Sequence, residues 1–322
     1  MVLPHNIYKV LANIASPGKM KGKLQVFIFH RVLYQLDPLM PEEPDIKQFE
    51  ILIAAIANIF NVMPLGEAVE RLNTHSLPKR AACITFDDGY LDNYTNAMPV
   101  LHKYRTPATV FIATHFLSGE MMWNDIVIES IRFAEDRLNL PDIGVPDAPV
   151  TTIKEKKALI DKIIPLIKHM PYKQRADIVE HIAEISNFRP FSLMMNQEKL
   201  IDMRRSGIEI GAHTSTHPIL KMLSDREAEK EIVDSKDYLE GLLGESIGLF
   251  AYPNGRPDQD YTKRDVDIVK KTGFTCAVST NKKIATESDS RFEIPRFTPW
   301  DTNINKFILR SLLYTLQSKI EH

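Results

Sequence analysis

Cysteine is scarce: the chain contains only Cys83 and Cys276. They form no CxxC pair, so a zinc site built on cysteine is not expected. Both lie inside apolar runs, which reads as small buried hydrophobes. A net charge of one sign is also lacking, at -2 over 322 residues, so no basic field points to nucleic acid. Long apolar runs are missing as well. Val10-Leu11-Ala12-Asn13-Ile14-Ala15 is too short and too polar for a membrane span or a secretory core, and Pro4, His5 and Asn6 interrupt the residues before it. The expectation is a cytoplasmic protein with no membrane span. Lys9, Lys19, Lys21 and Lys23 make this arm mildly positive. They read as a solvated tail, contact with an anionic membrane surface being the other reading. Internal repeats and low-complexity tracts are absent.

What is present is an ordinary globular composition, 44% hydrophobic and 25% charged. A chain this long buries a large core without disulfides or structural metals, and its length fits one large α/β domain or two ordinary ones. Apolar runs predict strands at Leu24–Phe29, Ala81–Phe86, Ala108–Ala113, Ile208–Ala212, Ile247–Tyr252, Phe274–Val278 and Phe292–Arg296. Helical spacing alternates with them. Asp45 reads as a cap before Phe49, Leu52, Ile53 and Ile56, and Ser224 or Asp225 caps a charged helix reaching about Leu243. A helix at Asn93–Tyr104 is interrupted by Pro99, and Gly273 reads as a C-terminal stop. Residues 124–205 are rich in charge and helical periodicity, with Pro141, Pro146 and Pro149 in one loop; they read as a helical insert within a single catalytic domain spanning 1–322. Alternating strands and helices predict a mostly parallel sheet of about seven strands, an α/β fold of barrel type.

Polar clusters follow the apolar runs. His30-Arg31, Asp87-Asp88, His213, Pro253-Asn254-Gly255 and Arg296 all sit just past predicted strands. In barrel-like α/β folds chemistry gathers at those ends. Asp87 and Asp88 are adjacent carboxylates after a buried strand, a costly arrangement unless a cation neutralises the pair. His213 and His217 are spaced so that both imidazoles reach one cation. With one carboxylate they make a two-His-one-carboxylate set that leaves positions open for water and substrate.

Thr85-Phe86-Asp87-Asp88-Gly89-Tyr90 and His213-Thr214-Ser215-Thr216-His217-Pro218 resemble the first two motifs of the NodB-type polysaccharide deacetylases, carbohydrate esterase family four. Phe250-Ala251-Tyr252-Pro253-Asn254-Gly255 and Phe29-His30-Arg31-Val32 resemble the branch acting on poly-N-acetylglucosamine and other exopolysaccharides. The likeness runs along the chain in order, apart from the helical insert. It implies a distorted (β/α) barrel and a hydrolytic, metal-dependent N-deacetylase of an acetylated amino sugar, in a polysaccharide or a glycan precursor. By matching position, Asp88, His213 and His217 hold one divalent ion, zinc in the first place. Metal-bound water is the nucleophile, Asp87 the general base, and the backbone N–H of Tyr252 an oxyanion donor.

The chain departs from the family pattern in two places. No Leu-x-His follows Arg296, and Glu321-His322 lies too near the terminus to replace it; His30 is the expected proton donor. Where the third motif often carries an arginine, Phe250-Ala251 stands instead, and Arg296 is expected to supply a guanidinium to Asp87. Tyr252, Pro253, Asn254 and Trp123 are candidate substrate contacts, with Arg256 and Trp300 behind them. Two other readings compete. One keeps the metal site for a non-sugar amide or cyclic imide; the other is a non-catalytic carbohydrate-binding protein.

Overall fold

The computed structural model describes residues 5–19, 22–299 and 303–317. Nine strands are found among them: Gln25–Phe29 (β1), Asn61–Val62 (β2), Ala81–Phe86 (β3), Thr109–Ile112 (β4), Arg137–Leu140 (β5), Val145–Pro149 (β6), Glu209–Ala212 (β7), Leu249–Ala251 (β8) and Cys276–Val278 (β9). The α-helices are His5–Ala15 (α1), Ile46–Ile59 (α2), Leu65–Asn73 (α3), Met98–Tyr104 (α4), Trp123–Phe133 (α5), Ile153–Lys168 (α6), Tyr172–Ile185 (α7), Gln197–Arg205 (α8), Asp225–Leu243 (α9), Lys263–Lys271 (α10) and Ile304–Gln317 (α11). Strands β1, β3, β4, β7, β8 and β9 pair in that order, all parallel, with β2 on β3. The result is a parallel sheet curled into a distorted (β/α) barrel with helices around it.

Side-chain alternation explains why the sheet curls around a core. In β3, Ala82, Ile84 and Phe86 belong to a large cluster with α2, α4, α9 and α10. Ala81 and Cys83 belong to a second, smaller cluster with Val26, Phe111, Leu249, Ala251, Cys276 and Val278. The first cluster is the outer layer and the second fills the barrel. Both cysteines are buried there and free. Thr85 and Asp87 continue the inward register of Cys83, and His213 continues that of Gly211. Gly211 has a packing reason: a Cβ there would lie 2.5 Å from the Phe111 ring.

The segment expected as a last strand, Phe292–Arg296, is not one. Ile294 bridges Val278 of β9 and Phe297 bridges Phe27 of β1. Ile294 N donates to Ala277 O, and Phe297 N donates to Val26 O. This short stretch therefore spans the gap between the two edge strands, and Pro295, with no N–H, keeps it from pairing as a regular strand.

Local signals act as their chemistry requires. Asp45 Oδ1 accepts from Gln48 N at 2.8 Å, Ser224 closes a capping box with Glu227, and Gly273 takes φ +88° after α10. Pro99 does not interrupt its helix. A π-helical turn, Asn93–Ala97, leads directly into α4 with Pro99 in the first turn, where a missing N–H costs nothing. The three-proline loop is a hairpin instead, because Leu138, Leu140 and Val145 are buried, Pro141 opens the connecting turn, and Pro146 and Pro149 lie on the edge strand β6. With α5, α6 and α7 the hairpin shares its own hydrophobic cluster, including Val127, Ile131, Ile160, Ile163 and Ile182. Leu200 and Met203 of α8 join the main cluster. Among the described residues no helix is long and apolar enough to cross a membrane.

Candidate metal and catalytic site

Two tight turns carry the site. After β3 the chain turns through Asp88 at φ +75° and Gly89 at φ +89°. After β7 it turns through Thr214 at φ +63° and His217 at φ +57°. Left-handed backbone at an aspartate is uncommon, and at a β-branched threonine it is a strain that the surroundings must hold. They do so with hydrogen bonds. Glu231 on α9 accepts from Ser215 N at 2.9 Å, Thr216 N at 2.8 Å and the Thr216 hydroxyl at 2.7 Å. Thr214 Oγ1 accepts from His217 N at 3.1 Å.

These turns aim Asp88, His213 and His217 at one point. One ligand atom from each lies within 4.8 Å of the others. Asp88 Oδ1 stands 3.4 Å from both His213 Nε2 and His217 Nε2. The same oxygen is buried without a hydrogen-bond partner, and a buried orphan carboxylate oxygen is costly. His213 Nδ1 lies 2.7 Å from Ala251 O. A carbonyl only accepts, so Nδ1 carries the proton and Nε2 presents its lone pair to the same point. Burial pushes His217 down to about 4 despite Asp88, which keeps its imidazole neutral. Asp88 is held well below the usual carboxylate range: burial opposes ionisation, and the histidines at 217, 213 and 30 outweigh it. An ionised oxygen and two free imidazole nitrogens with no internal partner are a donor set that fits a divalent cation.

Asp87 lies next to the same point, with Oδ2 3.8 Å from His213 Nε2. Arg296 grips it with both forks, Nη1 to Oδ1 and Nη2 to Oδ2, each at 2.7 Å. Arg296 is itself fixed, donating Nε to Ser279 O at 3.0 Å and Nη1 to Thr85 Oγ1 at 3.3 Å. Its guanidinium also lies 5.7 Å from the centre of the Phe111 ring. Burial would raise the Asp87 carboxyl, but Arg296 and His213 hold it below its ordinary value. His30 follows β1 directly and lies near enough to both carboxyls that its positive form helps lower them.

The candidate substrate contacts fare differently. Tyr252 is fully buried, stacked 3.9 Å from the Tyr261 ring, and its hydroxyl donates to Phe292 O. Its N–H donates to Val278 O at 3.3 Å. Neither the side chain nor the amide is free for substrate, because both are spent on the sheet and its outer layer. Pro253 is buried, while Asn254 is half-buried at φ +59° in the turn after β8. Arg256 is exposed next to it. Trp123 opens α5 at the start of the insert, and the Arg175 guanidinium covers one face of its indole at 5.0 Å. Trp300 and the terminal Glu321-His322 lie outside the described residues.

A buried polar network beside the site escaped the sequence reading. The Tyr90 hydroxyl donates to Asp125, 3.0 Å from Oδ2. Arg31 lies over the Tyr90 ring at 4.6 Å and donates Nε to Asp92 Oδ2 at 2.8 Å. Burial pushes the Asp125 carboxyl up to about 7 against the opposing pull of Arg31 and the Tyr90 hydroxyl. Asp92 Oδ1 accepts from Val32 N, Asn93 Nδ2 donates to His30 O, and Asn96 Nδ2 donates to Val32 O. The π turn thus grips the stretch that carries His30. The available signal was three poor helix formers, Asp92, Asn93 and Asn96, in the first turns of a helix.

A model of the family described as "Polysaccharide deacetylase" matches residues 74–142 and 153–277. The Bacillus subtilis protein YxkH is 22% identical over 277 residues, covering 85% of this chain and 71% of that one. The poly-beta-1,6-N-acetyl-D-glucosamine N-deacetylase of Staphylococcus aureus is 24% identical over 242 residues, covering 72% of this chain and 59% of the enzyme's own length. Among solved structures, the Streptococcus pyogenes deacetylase PplD superposes with a TM-score of 0.61 at 18% identity, over 90% of this chain and 98% of that one. IcaB from Ammonifex degensii gives 0.59 at 18% identity, over 93% and 98%.

Proposed function

The chain belongs to the polysaccharide deacetylase family, and from that premise we propose that it removes acetyl groups from N-acetylated amino sugars in a glycan by hydrolysis of the amide. The observation that carries this reading is Asp88 Oδ1 buried without a partner between two imidazole nitrogens, with the Arg296-bound Asp87 beside it. The substrate class we favour is a polymer of β-linked N-acetylglucosamine, the substrate in the name of the Staphylococcus aureus relative.

Asp88, His213 and His217 would hold one divalent cation, zinc in the first place, which when bound supplies Lewis-acid polarisation of a carbonyl and lowers the pKa of a water toward about 7. Asp87 is the base. Its pairing with Arg296 keeps it ionised and fixes its plane, and it takes a proton from the attacking water. A carboxylate below its ordinary pKa is a weak base, sufficient only for a water already made acidic. His30 gives a proton to the departing amine, so that acetate and a free amino sugar result. Tyr252 is not assigned the oxyanion, since its N–H is already engaged.

The test is acetate release from β-1,6- and β-1,4-linked N-acetylglucosamine oligomers, with simple amides as controls and bound metal measured in parallel. Asp87→Asn should keep its metal and lose about 10²–10⁴-fold in kcat. His213→Ala should lose metal and activity together. Release from simple amides alone would overturn the glycan reading, and full activity in Asp87→Asn would overturn the base.

A further inference from the structure

The charge of this chain is unevenly distributed. Lys and Arg number 40 against 42 Asp and Glu, yet no acidic residue occurs from Met1 to Leu36 or from Thr302 to Ile320. The fold brings these two acid-free stretches together. Helices α1 and α11 pack on each other and both lie against α2, and the Tyr8 hydroxyl donates to Asn305 Oδ1 at 3.1 Å. Further down, Lys23 Nζ donates to Thr315 O at 2.5 Å.

Each helix is apolar on two sides. The inner side of α1 buries Tyr8, Ala12 and Ala15, and that of α11 buries Phe307, Ile308 and Leu312. The outer side exposes Val10, Leu11 and Ile14 on α1 and Leu309, Leu313 and Leu316 on α11, each between 42% and 67%. The last three recur at i, i+4 and i+7, a continuous stripe on one face. Lys9, Lys306 and Arg310 are exposed among them. Six large aliphatic side chains on two adjoining helices, with cations and no carboxylates between them, are what an interfacial helix presents to lipid. A water-facing helix pair would carry acids as well as bases, as α9 does with seven carboxylates in its nineteen residues.

We propose that the α1–α11 face docks on an anionic bilayer surface, with the aliphatic stripes entering the headgroup boundary and Lys9 and Lys306 pairing with lipid phosphates. The charge pattern selects this occupant over a second copy of the chain. Self-association through the face would bring the same cations together with no acid to meet them, and like charges facing each other are destabilising.

Flotation of the full chain with vesicles tests this. The chain should float with vesicles of phosphatidylcholine containing phosphatidylglycerol, and much less with phosphatidylcholine alone or in high salt. Replacing Leu313 and Leu316 together by Ser should lower the partition coefficient roughly 10–100-fold. Lys306→Ala should lower it by about fivefold on anionic vesicles and leave neutral vesicles unaffected. Thermal unfolding of each variant serves as the folding control, since all three side chains are exposed. Equal binding to both vesicle types, or a Leu313→Ser/Leu316→Ser variant that melts like the parent and still floats, would overturn the proposal. So would absence of flotation combined with a concentration-dependent dimer that the double substitution dissolves.

Discussion

At Asp87 two opposing effects meet on one carboxylate. Burial favours the neutral acid, and the Arg296 fork with His213 favours the anion and prevails. Removing Arg296 leaves the first effect alone. Arg296→Ala should cost roughly 3–5 kcal/mol in denaturant unfolding, the usual consequence of stranding one member of a buried pair. It should also move the acid limb of the kcat/KM profile to higher pH, because Asp87 then binds its proton more tightly. Parent Asp87, with its folded pKa depressed, adds stability above its unfolded value that is lost as pH falls through the folded one. Asp125 has the opposite sign. Its carboxyl is raised from 3.8 to about 7 by burial, against the opposing pull of Arg31 and the Tyr90 hydroxyl. Its contribution is fully present below its unfolded pKa and declines as pH rises toward about 7. Urea unfolding between pH 4 and 8 should show that decline, and Asp125→Asn should flatten it.

Helix α9 illustrates control of a site from a neighbouring element. Its glutamate at 231 takes up three donors of the turn that carries both histidines, while its apolar side, Ala228, Ile232 and Leu239, anchors it in the main cluster. Glu231→Ala keeps a good helix former in α9 and removes the tether. Metal affinity, measured by chelator competition, should fall about 10–100-fold, the usual effect of losing a group that orients ligands, with far-UV dichroism unchanged. The π turn acts on His30 in the same way, through Asp92, Asn93 and Asn96. A wider turn there fits its reputation for appearing at functional places.

Across the whole molecule, the closing stretch Ile294–Phe297 joins architecture to chemistry. It bridges β9 and β1 and in the same few residues delivers Arg296 to Asp87. The Phe297 ring packs on Phe27 and Tyr314, tying α11 to the closure. Amides of Phe297, Ile28 and Ser279, whose partners lie across this seam, should exchange hydrogen only in global unfolding, at the rate of β3 amides. Phe297→Ala should cost about 3–5 kcal/mol and bring those three amides into fast local exchange, with activity falling because Arg296 loses its seat.

The sequence by itself determined the six strands β1, β3, β4, β7, β8 and β9, the helix ends at Asp45, Ser224 and Gly273, and the two motifs that meet at the metal point. These depend on local rules: apolar alternation, capping chemistry, and turn residues following buried runs. Asp88, His213 and His217 were legible because their spacing and strand-end placement are local too. Arg296 was legible as a strand-end cation and expected as the partner of Asp87 from the missing arginine of the third motif; the two-pronged grip across 209 positions depends on how the barrel closes. The Tyr90–Asp125 and Arg31–Asp92 contacts join segments far apart in the chain, as does the pairing of the two acid-free terminal helices. Tyr252 points outward rather than into the cleft because it continues the outward register of Phe250, while Leu249 and Ala251 face the barrel interior. Such matters rest on register and closure, which the packing of distant side chains decides, and no window of sequence contains both partners.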